Sequence, residues 1–148
     1  MKTTNRRHPA AGILASAVAG ALLLGAGVAN AQISVVVAAN SSVTATPAQA
    51  AELFAGVKTV WPSGAKVQIV DQPESETGRT FYQKCVKRPP SIVRAQWTRL
   101  ALSGQAVAPK TVANDADVKE AVRKSPAAIG YIASSALDAT VKELCRIE

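Results

Sequence analysis

Residues 33–39 (Ile-Ser-Val-Val-Val-Ala-Ala) form a β-branched run that is apolar at almost every position. Hydrophobicity without alternation predicts a strand buried on both faces, as in a parallel sheet. Asn40, Ser41 and Ser42 end it. Thr46-Pro47-Ala48-Gln49 reads as a capping box, with a hydroxyl at the N-cap, proline at the first helical position and glutamine at the third. A helix is therefore predicted from Pro47 to about Phe54, stopping at Gly56 in the left-handed conformation. Trp61-Pro62-Ser63-Gly64 predicts a turn. Residues 66–70 predict a second strand that carries Val67, Ile69 and Val70 into the core. Beyond the polar loop 71–75, a helix is predicted to begin near Glu76 or Thr77. There Phe81 with Cys85, and Tyr82 with Val86, stand four apart on one buried stripe.

Pro89-Pro90 breaks the chain, and a helix beginning at Ser91 places Val93, Trp97 and Leu100 on one side, with Arg94 and Arg99 off that stripe. Ser103-Gly104 terminates it. Asn114 caps a further helix through about Lys124, with Asp115 and Asp117 in the first turn and Val118 and Val122 inward. Ser125-Pro126 stops that helix, and 129–133 predicts a strand whose Tyr131 packs its ring at the strand end with the hydroxyl toward water. Leu137, Val141 and Leu144 have helical spacing, so 136–144 predicts a last helix before Cys145. Trp61 and Trp97 are expected to serve packing. The alternation of strands and helices, with no internal repeat, predicts an α/β fold arranged as a single three-layer sandwich.

The segment before the first strand changes the meaning of the composition. Lys2, Arg6 and Arg7 precede an apolar stretch from Ala10 to Val28, and Ala29-Asn30-Ala31 is a small-x-small box. Residues 1–31 are thus expected to be a cleaved signal peptide, leaving a domain of 32–148 in the periplasm without a stable membrane anchor. The rival reading is a transmembrane anchor, since the stretch nearly spans a bilayer. Cleavage removes His8, the only histidine. Fourteen of the seventeen basic residues remain against ten acidic ones, a net of +4. That excess could favour an anionic ligand, but it is too small for nucleic-acid binding. Without histidine, Ser-His-Asp, Cys-His and histidine-ligated metal chemistry are excluded from the mature chain, and neither a P-loop nor a dinucleotide fingerprint occurs. No enzyme, cofactor or metal site is expected. Cys85 and Cys145, an even pair in an oxidising compartment, are expected to form a disulfide worth about 4 kcal/mol in the chain-entropy model. A metal pair or a reactive thiol are the alternatives.

Five short motifs occur in order: Leu53-Phe54-Ala55-Gly56, Trp61-Pro62-Ser63-Gly64, Gly78-Arg79-Thr80-Phe81, Trp97, and Ala128-Ile129-Gly130-Tyr131-Ile132. In that order and spacing the chain resembles the phosphate-binding protein family of ABC importers, a branch of the type 2 periplasmic solute-binding proteins. The similarity covers roughly 33–132 and looks most like short stand-alone relatives corresponding to about one lobe and a hinge strand. The resemblance implies an oxyanion held between two lobes, one of which offers an arginine and a Ser-Gly-Thr turn at a helix N-terminus. Unpaired N–H groups, the helix dipole, hydroxyls and a guanidinium are the physical basis of such a site.

Residue by residue, that stretch is Asp71-Gln72-Pro73-Glu74-Ser75-Glu76-Thr77-Gly78-Arg79-Thr80-Phe81. Ser75, Thr77, Gly78 and Thr80 are candidate donors and Arg79 the candidate charge. The Ser-Gly-Thr turn is not intact, the arginine follows the glycine, and Glu74 and Glu76 bring negative charge. The alternative is that Glu76 and Thr77 cap a helix and Arg79 pairs with a nearby carboxylate. Ser41 and Ser42, at the C-terminal end of the first strand, are a second candidate donor group, because ligands of α/β sheets gather at strand ends. Two functions are expected to compete. One is an exported solute-binding-like domain for phosphate or a similar oxyanion, linked to ABC transport, with a homodimer supplying the missing lobe. The other is a structural or interaction domain that has lost its ligand and binds an envelope protein.

Overall fold

The computed structural model describes residues 31–148; the expected signal peptide lies outside them, apart from Ala31. Five strands form one mixed sheet in the order β3-β2-β4-β1-β5. These are β1 (Ile33–Ala38), β2 (Gln68–Asp71), β3 (Lys110–Thr111), β4 (Ala128–Ala133) and β5 (Val141–Ile147). The helices are α1 (Pro47–Phe54), α2 (Glu76–Phe81), α3 (Pro90–Leu102) and α4 (Asp115–Arg123). A π-helical turn, Tyr82–Val86, continues α2, and a 3-10 turn, Ser134–Ala136, follows β4.

Alternation along the strands divides the core into two. Val35 and Val37 of β1, Ile69 of β2 and Tyr131 of β4 face Leu53 and Phe54 of α1, Phe81 of α2 and Trp97 of α3. Val36, Val70 and Ile132 face Val118 and Val122 of α4. Helices therefore cover both faces, and the fold is the expected three-layer α/β sandwich. The local signals act as expected. Thr46 and Gln49 make a reciprocal capping box, Gly56 takes φ +73°, and Asn114 caps α4 by accepting the Asp117 N–H at 2.9 Å. Both indole N–H groups are satisfied inside the core, Trp61 by the Ala127 carbonyl at 3.0 Å and Trp97 by the Phe54 carbonyl at 2.8 Å.

Two expectations about the sheet are corrected. Every residue of β1 is buried, yet it runs antiparallel to both neighbours, β4 and β5. Its unbroken apolar run reflects coverage on both faces, which does not depend on strand direction. The predicted helix over 136–144 is instead the 3-10 turn and the start of β5. A register shift between Val35 and Val36 moves the partner from Cys145 to Glu143. Leu144 and Cys145 consequently both pack against the larger core, while Val141 packs on the α4 side. The bulge erases the period-2 pattern and leaves a spacing that imitates a helix. Pairing with β1 also outweighs the helical spacing, because it satisfies a row of backbone groups that β1 would otherwise leave open.

The expected Cys85–Cys145 disulfide is not seen in the structure. Cys85 and Cys145 are free thiols, each partly exposed, and both pack against the larger core as small apolar groups. Burial pushes the Cys85 thiol up to about 11, with Cys145 adding to the effect. Burial, with Glu143 nearby, likewise raises Cys145 to about 11. Thiolate is the reactive form, so both sites are chemically quiet near neutrality. Native protein is expected to alkylate with iodoacetamide far more slowly at pH 8 than the unfolded chain, and to approach the unfolded rate only above about pH 10. Equal native and unfolded rates at pH 8 would contradict half-buried thiols held in the protonated form.

Candidate functional site

The sheet topology decides which candidate residues meet. β2 and β4 run parallel, so Asp71, the turn before α2 and Ala133 all lie at one edge. β1 runs opposite to β4, pairing Ile33 with Ala133, so Ser41 and Ser42 emerge at the other edge. The structure therefore does not bring Ser41 and Ser42 together with Ser75–Thr80. Ser41 is nearly buried and Ser42 exposed. The Ser41 hydroxyl accepts the Val43 N–H at 3.4 Å, and its carbonyl accepts Lys142 at 3.1 Å.

At the first edge Ser75 is the N-cap of α2. Its hydroxyl accepts the Gly78 N–H at 2.9 Å and donates to the Gln72 carbonyl at 2.8 Å. Gly78 is buried with its backbone pressed against the preceding loop; a Cβ there would lie 2.0 Å from the Gln72 carbonyl oxygen. Arg79 donates to the Glu74 carbonyl at 2.8 Å and not to a carboxylate. The Thr80 hydroxyl donates to the Glu76 carbonyl at 3.1 Å. Ser75, Gly78, Arg79 and Thr80 are thus brought together on one short helix, and each hydrogen-bonding group just described is used to hold the turn. Thr77 is partly exposed within it.

Beneath the turn lies a polar network that the sequence reading did not single out. Gln72 is 1 % exposed. Its side-chain amide donates to the Tyr131 carbonyl at 2.9 Å and to Asp115 at 2.7 Å. Asp115 also accepts the Ala133 N–H at 3.2 Å, which ties the first turn of α4 to the end of β4. The Gln72 N–H donates to the Tyr131 hydroxyl at 3.1 Å. That hydroxyl donates onward to Asp71 at 2.6 Å, and Tyr82 donates to the other oxygen of Asp71 at 2.6 Å. Tyr131 is fully buried, so its hydroxyl faces a carboxylate and not water as expected. Its ring stacks on Phe81 at 3.9 Å and meets Phe54 edge-on at 5.4 Å.

Desolvation raises the Asp71 pKa above its ordinary value, opposed by the donors Tyr131 and Tyr82 and by Arg94. Burial, then the Asp71 charge, pushes both tyrosine hydroxyls upward, so they remain donors. A cavity of about 160 Å³ opens beside this network, with Asp71, Tyr82, Arg94, Thr98 and Thr111 in its lining. No signal in the sequence marks Gln72 or Asp115 as partners, because they lie 43 residues apart. Among the described residues no group of three metal-ligating side chains occurs, and no helix is long and apolar enough to cross a membrane.

No family model and no curated protein matches the sequence. Solved structures do match the fold. A protein from Clostridium perfringens assigned as a phosphate ABC transporter substrate-binding protein, solved with bound phosphate, aligns with TM-score 0.61 and 21 % identity over 77 % of this chain and 45 % of its own. PstS from Borrelia burgdorferi aligns with TM-score 0.57 and 14 % identity over 78 % and 47 %. An ABC-type phosphate transport receptor from Vibrio cholerae gives 0.53 and 20 % over 77 % and 46 %. The chain spans less than half the length of each of these structures. The strand order, the two-sided helix cover and these alignments give one conclusion: this chain has the fold of about one lobe of the substrate-binding proteins of phosphate ABC transporters.

Proposed function

We propose that residues 32–148 act as an exported, periplasmic, non-catalytic solute-binding-like domain of the phosphate ABC-transport type, and that the α2 turn is its half-site for phosphate or a similar oxyanion. The observation that carries this reading is the placement of the turn. Ser75, Thr77 and Gly78 sit at the C-terminal edge of the parallel strands, in a fold whose solved likenesses include a phosphate-bound protein. Anions are stabilised by free first-turn N–H groups and by nearby cations. Arg79 swings from the Glu74 carbonyl to the ligand in this scheme. Affinity is low, on the order of millimolar, because Glu74 and Glu76 oppose the anion and a lone lobe leaves it half exposed. A second copy of the chain supplies the missing wall.

A specific observation favours a second reading, an interaction domain without a small ligand. Ser75, Arg79 and Thr80 already have partners within the turn, and the buried side chain ahead of it is the neutral Gln72. Arg79→Ala separates the two. It is expected to abolish any change in melting temperature produced by phosphate while lowering the ligand-free melting temperature by no more than a few degrees, since its one bond, to the Glu74 carbonyl, is solvent-exposed and water can replace it. An unchanged phosphate response would remove Arg79 from the site.

A further inference from the structure

Between Thr77 and Asn114 the chain carries seven Lys and Arg and not one Asp or Glu. The remainder of residues 32–148 is net −3, so the positive charge of this domain is concentrated in one stretch. The fold turns part of that stretch into a surface. Lys87 adopts φ 57°, the left-handed region that non-glycine residues rarely enter, held by its N–H to the Tyr82 carbonyl at 2.7 Å. The reversal presents exposed Lys87 and Arg88 immediately before Pro89-Pro90 opens α3.

Arg88 stands between two adjoining depressions. One, of about 310 Å³, has Val57, Ile92 and Arg99 in its lining. The other, of about 470 Å³, is lined by Arg79, Lys87 and Pro89 among others. No carboxylate lines either depression. Val57 is 61 % and Ile92 59 % exposed, among the largest exposures of apolar side chains among the described residues. Of the seven cations only Arg94 has an ion pair among the described residues, a 3.7 Å contact with exposed Glu74. Arg99 donates to neutral Gln96 at 3.3 Å. Like charges gathered without counter-charges repel one another, and an anionic partner relieves that repulsion.

We propose that this face seats an acidic, partly apolar peptide segment of a protein partner. Its carboxylates lie on Arg88 and Arg99, and its apolar side chains on Val57 and Ile92. Concavity selects a peptide over a bilayer: the exposed apolar groups line depressions, whereas membrane insertion needs them on a protruding face. Guanidinium groups suit the partner, because they bind carboxylates in a paired, planar geometry. The proposal is independent of the oxyanion reading, and the variants avoid the α2 turn for that reason.

The test uses a fluorescein-labelled peptide of about 12 residues, Glu-rich with interspersed Leu, and its Gln-for-Glu counterpart, followed by anisotropy at about 50 and 300 mM NaCl. The Glu peptide is expected to bind the protein, and the Gln peptide about tenfold more weakly or worse, with salt weakening only the first. Arg88→Glu with Arg99→Glu should lower Glu-peptide affinity by a further tenfold or so at an unchanged melting temperature, because both side chains are exposed. Ile92→Ser should weaken both peptides alike. Equal binding of the two peptides would overturn the proposal, as would indifference to the double charge reversal. Binding confined to phosphatidylglycerol vesicles would also overturn it, in favour of a membrane surface.

Discussion

Gly78→Ala is expected to destabilise the domain by about 3 kcal/mol, the upper end of what overpacking costs. The added Cβ would lie 2.0 Å from the Gln72 carbonyl oxygen, 2.8 Å from its carbon and 2.9 Å from the Pro73 Cα. All three are backbone atoms, so no rotamer change relieves the clash; α2 or the loop must move. Movement breaks the Ser75 cap on the Gly78 N–H and pulls on Gln72, which is fastened to β4 and α4. Urea denaturation followed by circular dichroism measures the loss. A change below about 1 kcal/mol, an ordinary value for a point mutation, would contradict the close approach of α2 to this loop.

Tyr131→Phe is expected to cost about 2–4 kcal/mol, since it strips a partner from the buried Gln72 N–H and from the partly buried Asp71 carboxylate while keeping the ring. The hydroxyl donates to Asp71 and accepts the Gln72 N–H; both would lose that bond. The stack on Phe81 survives, so packing does not account for the loss. The pH dependence carries a sign that a packing defect would not. Burial raises the Asp71 pKa in the folded state, so the native protein holds this proton more tightly than the unfolded chain. The associated stability is fully present below the unfolded value of 3.8 and is lost as pH rises through the folded value. Removing the Tyr131 donor raises the folded value further and extends that loss to higher pH. Asp71→Asn should remove this component altogether. If Tyr131→Phe lost the same free energy at every pH between about 4 and 7, the hydroxyl would not be supporting a buried carboxylate.

Where a signal is local, the sequence reads well. Thr46 and Gln49, Gly56, and Asn114 each fix a helix end through groups a few residues away, and each adopts the expected role. Burial is legible too, since all of the apolar run at 33–39 except exposed Ala39 becomes a strand covered on both faces. Direction is not, because the same run suits parallel and antiparallel neighbours alike. At 141–147 a single bulge shifts the register and breaks the strand alternation, so that Leu137, Val141 and Leu144 are left with a spacing that mimics a helix. The site shows the same limit. The cap of α2 is Ser75, one residue ahead of the Glu76 and Thr77 expected to cap it, because its hydroxyl is the one that reaches the Gly78 N–H. The separation of Ser41 and Ser42 from it depends on strand order, and the Gln72–Tyr131 bonds span 59 residues. Such pairings are set by topology, to which no short window of residues has access.

Thermal unfolding of residues 32–148 with and without phosphate is the direct test of oxyanion binding by this lobe. Occupancy of a half-site at about ten times its dissociation constant adds ~1.4 kcal/mol of stability. For a domain of this size that is a rise of about 5 °C. This rise is expected in tens of millimolar phosphate, beyond what chloride of equal ionic strength produces, and is expected to be lost in Arg79→Ala. No rise with phosphate, sulfate or other oxyanions would contradict a ligand-binding lobe and leave the interaction domain in its place.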